Sequence, residues 1–268
     1  MVLVENGDGG GDWADWRGGE CLIPALLGKF YDQQQFTDAV FTLADGSTIQ
    51  VHKLLLSISS PVFEGMFYGP MADTTTREFK VDDVKPVGFR RLIQFIYNSR
   101  WLSWKVEEPE EWWYILEAAN KYMNIRLVEQ VERKLRDISK KEAGKGVILK
   151  HLNMATRCSF ETGVKIVFLN SVIKNTSKLI QSDHWGNLDE AAILKIYQQD
   201  FLAANEGELY VGAKNWCLKN SSSESEALKL FLDKFAKSII PEYMSQRDFL
   251  TCVASDAFLA QVRFRLNV

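Results

Sequence analysis

The sequence predicts an α+β chain, with helices around a small sheet in the first half and helices alone in the second. Three observations predict it. Two strand-like runs, Asp38 to Leu43 and Thr48 to Val51, flank Asp45-Gly46, a dipeptide suited to the left-handed positions of a hairpin turn. Around that hairpin, apolar residues recur three and four apart, the spacing of one helix face. Beyond residue 146 helical spacing continues, and no pair of strand-like runs with turn chemistry occurs.

Residues 1–19 are rich in glycine and acid and read as a flexible tail. Gly9-Gly10-Gly11 lacks the preceding strand, the following helix and the Lys-Ser/Thr of a phosphate loop. Trp13 and Trp16 are unusual in such a tail and suggest that it docks on something. Cys21 to Gln35 reads as a helix on which Leu22, Ala25, Leu26 and Phe30 share a face that Ile23 and Leu27 widen. So broad a face on a short helix predicts packing on the domain and on a second subunit. After the hairpin, His52-Lys53 leads into an apolar helix at Leu54-Leu55-Leu56. Ser59-Ser60-Pro61 ends it and starts another, with serine as cap and proline in the first turn. Phe63, Met66 and Phe67 then fall three and four apart.

Thr76 to Val84 alternates and predicts a third strand. Pro86 opens a helix with Phe89, Leu92, Ile93 and Ile96 inward, and Trp101 to Trp104 is strand-like. Glu107 to Glu111, with Pro109, begins a helix at its acidic end, as the helix dipole favours. Its inner face is Trp112, Ile115, Leu116, Ala119 and Met123. A further helix carries Leu127, Val128, Val131, Leu135 and Ile138. Residues 139–146 are charged and glycine-containing and mark an internal boundary. Helices are then expected near 147–157, 160–174, 175–182, 189–197, 206–219, 224–238 and 245–254.

At roughly 150 residues per domain, 268 residues predict two domains. Lys and Arg number 32 against 35 Asp and Glu, a net charge of −3, which lacks the basic excess of a general nucleic-acid binder. Cys21, Cys158, Cys217 and Cys252 are far apart, with no C-x-x-C pair or finger-spaced histidine, so neither a zinc site nor a disulfide framework is expected. Cysteines and the isolated His151 and His184 read as packing or surface residues. No signal peptide and no membrane-spanning run appear. The expected protein is intracellular, cytoplasmic or nuclear, with no membrane or nucleic-acid partner and no cofactor.

The first half resembles the BTB/POZ fold. The resemblance is carried by Phe36 to Phe41, Val51-His52-Lys53-Leu54-Leu55-Leu56-Ser57 and Ser60-Pro61-Val62-Phe63-Glu64-Gly65-Met66-Phe67. It continues through Val81 to Val84, Phe89 to Tyr97 and Leu116 to Tyr122, about 115 residues in all. The second half is similar to a BACK domain, the helical module that follows BTB in many cullin-3 adaptors, through Asp200-Phe201-Leu202, Asn205 to Tyr210 and Ala213 to Trp216. The resemblance implies helices around a small mixed sheet, followed by an all-α domain. The implied organisation is a tail at 1–19, BTB at 20–138, a linker at 139–146 and a BACK-like domain at 147–268.

The resemblance also implies a non-enzymatic, homodimeric adaptor that presents an unknown protein substrate to a cullin-3 RING ubiquitin ligase. Its cullin surface would comprise Met66, Phe67, Tyr68, Met71, Asp73 and Tyr97. The family's contact is an apolar residue, any residue, then glutamate. Here it reads Met71-Ala72-Asp73, with aspartate shorter by one methylene. The dimer seam would be Leu22, Ile23, Leu26, Leu27, Phe30 and Tyr31, and Asp38, His52 and Lys53 would line a charged pocket beside it. The alternative is a BTB scaffold for transcriptional or cytoskeletal partners without a ligase. Glu107, Glu108, Glu110 and Glu111 read as solvated dipole partners, whereas Trp101, Trp104, Trp112 and Trp113 read equally as core or as a partner surface. No length remains for a kelch or PHR module. Either the chain is a fragment or short isoform lacking that arm, or it recruits targets through BTB, BACK or the tryptophan-bearing tail.

Overall fold

The hairpin forms where Asp45-Gly46 places it, and Gly46 takes φ +78°, a conformation open to glycine at little cost. The structure, a computed structural model, describes residues 23–98, 106, 108–239, 243–248 and 250. These fall into two compact units, divided after residues 105, 117 and 127, so that 118–127 group with the first unit and 106–117 with the second.

In the first unit, α1 (Ile23–Asp32) precedes β1 (Ala39–Leu43) and β2 (Thr48–Val51). They are followed by α2 (Lys53–Ser59), α3 (Pro61–Tyr68), β3 (Glu78–Val81) and α4 (Pro86–Asn98). The sheet order is β2-β1-β3. Phe41 pairs with Ile49 across the antiparallel ladder and with Phe79 across the parallel one. The sheet is therefore mixed, and its parallel pair is bridged by the crossover that holds α2 and α3. Period-two alternation turns Ala39, Phe41 and Leu43 inward.

The core of this unit is a cluster of phenylalanines. Phe41 lies 5.1 Å from Phe89, Phe63 stacks on Phe67 at 5.9 Å, and Tyr122 stacks on Phe63 at 4.5 Å. Burial raises the Tyr122 phenol to about 12. Ser60 caps α3 by accepting from the Phe63 amide at 3.2 Å and donates its hydroxyl to the Tyr122 carbonyl, while Pro61 occupies the first turn. The third strand is shorter than its alternation predicts, because residues 73–76 form a turn closed by the Thr76 amide on the Asp73 carbonyl at 3.1 Å.

Helix α5 (Glu111–Lys121) starts later than its acidic run suggests, since residues 108–110 form a turn. It ends before Met123, which is exposed rather than inward. The Asn124 amide bonds to the Ala119 carbonyl at 2.8 Å and the Met123 amide to that of Asn120 at 3.0 Å. This is a Schellman end, with Met123 at φ +52° in the position glycine favours.

α6 (Ile125–Lys141) runs on past the start of the expected linker at 139, and Gly144, at φ +73°, turns the chain after it. In the second unit follow α7 (Val147–Arg157), α8 (Gly163–Ile173), α9 (Thr176–Ile180), a 3-10 turn at Trp185–Asn187 and α10 (Glu190–Tyr197). After these come α11 (Glu206–Lys219), α12 (Glu224–Lys234) and the short α13 (Gln246–Asp248). No strand occurs among the described residues of this unit. α7 and α11 fall on the limits their periodicity predicts. Asn205 and Glu208 form a reciprocal capping box on α11.

Aromatic polar atoms tie this second core together. Trp185 Nε1 donates to the Gly212 carbonyl at 3.1 Å, Trp216 Nε1 to that of Leu188 at 2.8 Å, and the Tyr197 hydroxyl to that of Leu209 at 2.6 Å. Gly212 permits this approach, because a Cβ there would lie 3.0 Å from Ile180 and 3.1 Å from the Tyr197 hydroxyl.

Candidate protein-interaction surface

One group of exposed apolar residues in the first unit lies where α3 ends. Gly69 stops the helix, and residues 70–76 return the chain to β3 by turns. Met71 is 100% exposed and Tyr68 51%. Met66 is half-buried. Apolar side chains held in solvent on a turn next to a rigid helix suit a protein contact. Phe67 and Tyr97, expected on this surface, are corrected to core. Each is 1% exposed, Phe67 within the phenylalanine cluster and Tyr97 beneath α1.

Asp73 is occupied within its own turn. Its carboxylate accepts from the Thr75 amide at 2.9 Å, the Thr75 hydroxyl at 2.6 Å and the Thr76 hydroxyl at 3.0 Å. The Thr75 bonds first, then that of Thr76, hold its carboxyl below the usual carboxylate range. A longer side chain could reach outward. This one closes an Asx turn.

The expected dimer helix is α1. Leu22 lies outside the described residues, as do the side chains of Ile23 and Leu26. Leu27, Phe30 and Tyr31 are half-buried. Tyr31 stacks on Tyr97 at 4.6 Å, and Gly28 approaches α4 so closely that a Cβ would meet Asn98. One side of α1 is therefore held by its own domain.

The three residues expected to line a charged pocket are engaged within their own domain. The Lys53 ammonium is buried, donates to the Thr76 carbonyl at 2.6 Å and the Thr74 carbonyl at 3.3 Å, and lies over the Phe67 and Phe79 rings. Asp38 accepts from the Lys53 amide at 2.7 Å. His52 Nε2 faces the Gln35 carbonyl at 2.7 Å, which can only accept, so Nε2 carries the proton. His52 Nδ1 then accepts from the Tyr97 hydroxyl at 2.7 Å, and that oxygen accepts from the His52 amide at 2.8 Å. Desolvation by burial pushes the Tyr97 phenol well above its ordinary value.

Sequence reasoning missed Leu54 and Ile58 on α2, which are 62% and 74% exposed. The signal was present. In Leu54-Leu55-Leu56 successive side chains point about 100° apart, so the run cannot face one core, and only Leu56 is buried. Phe36 and Ile125 are exposed too.

Trp113 belongs to the second core. Its Nε1 donates to His151 Nδ1 at 3.1 Å, and His151 stacks on Phe168 at 4.9 Å. Burial lowers the His151 imidazole to about 4. Trp112 is buried, whereas Trp101, Trp104, Trp13 and Trp16 lie outside the described residues. Burial raises the Cys217 thiol to about 12, the state of a packing residue rather than a nucleophile. Among the described residues no cluster of His, Cys, Asp or Glu could hold a metal ion, and no helix is long and apolar enough to cross a membrane.

The mixed three-stranded sheet and the helical pair α2–α3 hold the exposed apolar turn as a candidate surface for protein contact. Residues 27–139 match the BTB/POZ domain family. This segment of the chain is a BTB/POZ domain, a module of protein–protein interaction.

Proposed function

We propose that the chain is a homodimeric adaptor that recruits a protein substrate to a cullin-3 RING ubiquitin ligase. In this reading the BTB domain contacts both cullin-3 and a second copy, and residues 147–268 form a BACK-like extension. BTB domains mediate dimerisation and binding to partners such as cullin-3. The observation that carries the reading is Met71, fully exposed beside Tyr68 at the position where the resemblance puts the apolar cullin anchor. Exposed Leu54 and Ile58, with the half-buried Leu27 and Phe30, supply apolar surface for the self-contact.

The test is titration with the N-terminal region of cullin-3. Met71→Glu places a charge in the contact, so affinity falls about tenfold or more while folding is unchanged, because the side chain touches nothing in its own chain. Wild-type affinity in that variant sinks the cullin assignment. A second reading is favoured by one observation, the closure of Asp73 onto Thr75 and Thr76, which removes the acidic half of the motif from reach. The domain is then a dimeric scaffold without a ligase. Micromolar or weaker cullin binding, together with a dimer by light scattering, favours this second reading.

A further inference from the structure

The turn that holds Met71 in water is braced from beneath by a buried cation. Lys53 opens α2, and its own amide is fixed by the Asp38 carboxylate at 2.7 Å. The residue is 5% exposed. Its ammonium donates to the Thr76 carbonyl at 2.6 Å and the Thr74 carbonyl at 3.3 Å, with the Phe67 and Phe79 ring centres 5.8 and 5.7 Å away. Among the described residues its partners are these carbonyls and rings, and none is a carboxylate. An ammonium is costly to bury, and a hydrophobe of similar volume would fill the same space without that cost. What the cation adds over a hydrophobe is its hold on two carbonyls of one turn.

The rest of the turn is closed by its own residues. The Ala72 amide bonds to the Gly69 carbonyl at 2.9 Å and the Thr76 amide to that of Asp73 at 3.1 Å. The Asp73 carboxylate takes the Thr75 amide and the hydroxyls of Thr75 and Thr76. These bonds stay within the turn, whereas those of Lys53 tie it to α2 and to the core where Phe67 and Phe79 pack. Met71, between the two closures, is left 100% exposed. A segment whose backbone is already ordered loses less conformational freedom when a partner docks, and its affinity gains by that difference.

We propose that Lys53 is the positioning residue of this surface: its buried ammonium presets the turn at 70–76, and with it the place at which Met71 meets a partner. The inference rests on the adaptor reading for the role of Met71, whereas the setting of the turn is independent of cullin-3. Two measurements on the full chain test it. The first is amide hydrogen exchange without a partner. Lys53→Met, close in length and without the charge, speeds exchange at Thr75 and Thr76 about tenfold. The fold survives, since Thr74 is exposed and Thr76 half-buried, and their carbonyls pass to water. Lys53→Arg, which keeps donors for both carbonyls, restores slow exchange. The second is titration with the N-terminal region of cullin-3. Lys53→Met weakens binding about five- to tenfold and Met71→Ala weakens it more. The double variant binds no more weakly than Met71→Ala, because Lys53 acts through Met71. Wild-type exchange at Thr75 and Thr76 in Lys53→Met overturns the proposal, as do additive losses in the double variant. Faster exchange spread over the whole first core, or loss of its fold, shows a general structural role and also overturns it. If Lys53→Met frees the turn but the wild type does not bind cullin-3, the cullin reading fails and the setting of the turn by Lys53 is supported.

Discussion

The two cores solve burial differently. The first is built mainly from phenylalanine around Phe41 and Phe63, rings that carry no polar atom of their own to satisfy. The second is built from Trp113, Trp185, Tyr197 and Trp216, each with its polar atom bonded to a specific carbonyl or ring nitrogen. A phenylalanine core tolerates rotation of its neighbours, because dispersion is non-directional. A tethered aromatic also sets the register of the helix that carries its acceptor. The difference suits a domain that leaves Leu54, Ile58, Tyr68 and Met71 for other proteins, beside a helical unit whose short helices need their geometry fixed from within.

Four measurements sharpen or break that contrast. The largest expected effect is Phe63→Ala, which removes a fully buried ring stacked on Phe67 and Tyr122. It should destabilise the first core by about 3–5 kcal/mol in urea unfolding. A loss under about 1 kcal/mol would show that the cluster is not the stabilising centre.

The second core should respond to acid through His151. Burial holds its folded-state value at about 4, against an ordinary 6.5. Between those values the unfolded chain binds more protons. The His151 contribution is therefore complete above pH 6.5 and is lost as pH falls toward 4, by about 3 kcal/mol. His151→Gln keeps an acceptor for Trp113 and should flatten this part of the stability profile. An unchanged acid slope in that variant would exclude His151 as its source.

A smaller effect separates tethered from untethered aromatics. Trp185→Phe removes the indole donor from the Gly212 carbonyl, which keeps its bond within α11, and should cost about 1 kcal/mol beyond the volume change. A comparison with Trp185→Leu, matched for the lost donor, isolates the ring from the bond. The smallest effect is a gain. Met123→Gly relieves a left-handed methionine at the end of α5 and should stabilise by about 1 kcal/mol. A loss would mean that the exposed methionine side chain makes a contact worth more than the strain.

Much of the fold is legible locally. The hairpin at Asp45-Gly46, the cap at Ser60-Pro61 and the box at Asn205-Glu208 act through bonds within a few residues, so their sequence signals survive into the structure. The candidate surface is less legible. Met71 stands out because a Gly-Pro turn separates it from the helix that Tyr68 ends, but Phe67 and Tyr97 are alike in type and prove to be core. Leu54 and Leu56 are two residues apart on one helix and lie on opposite sides of the burial divide. The division of the chain is similar. The charged run 139–146 is the visible boundary in sequence, whereas the first turns of α5 group with the second unit, where Trp113 meets His151 and Phe168.

Composition and local pattern are sufficient for the α+β class, the helix limits at Val147–Arg157 and Glu206–Lys219 and the placing of an apolar turn after α3, because periodicity and capping depend on near neighbours. Tertiary structure alone decides the parallel pairing of β1 with β3 and the burial of Tyr97 against Tyr31 and His52. It alone decides that an anchored loop holds Phe201 in water. Each of these depends on groups distant in sequence, and no local pattern carries that information.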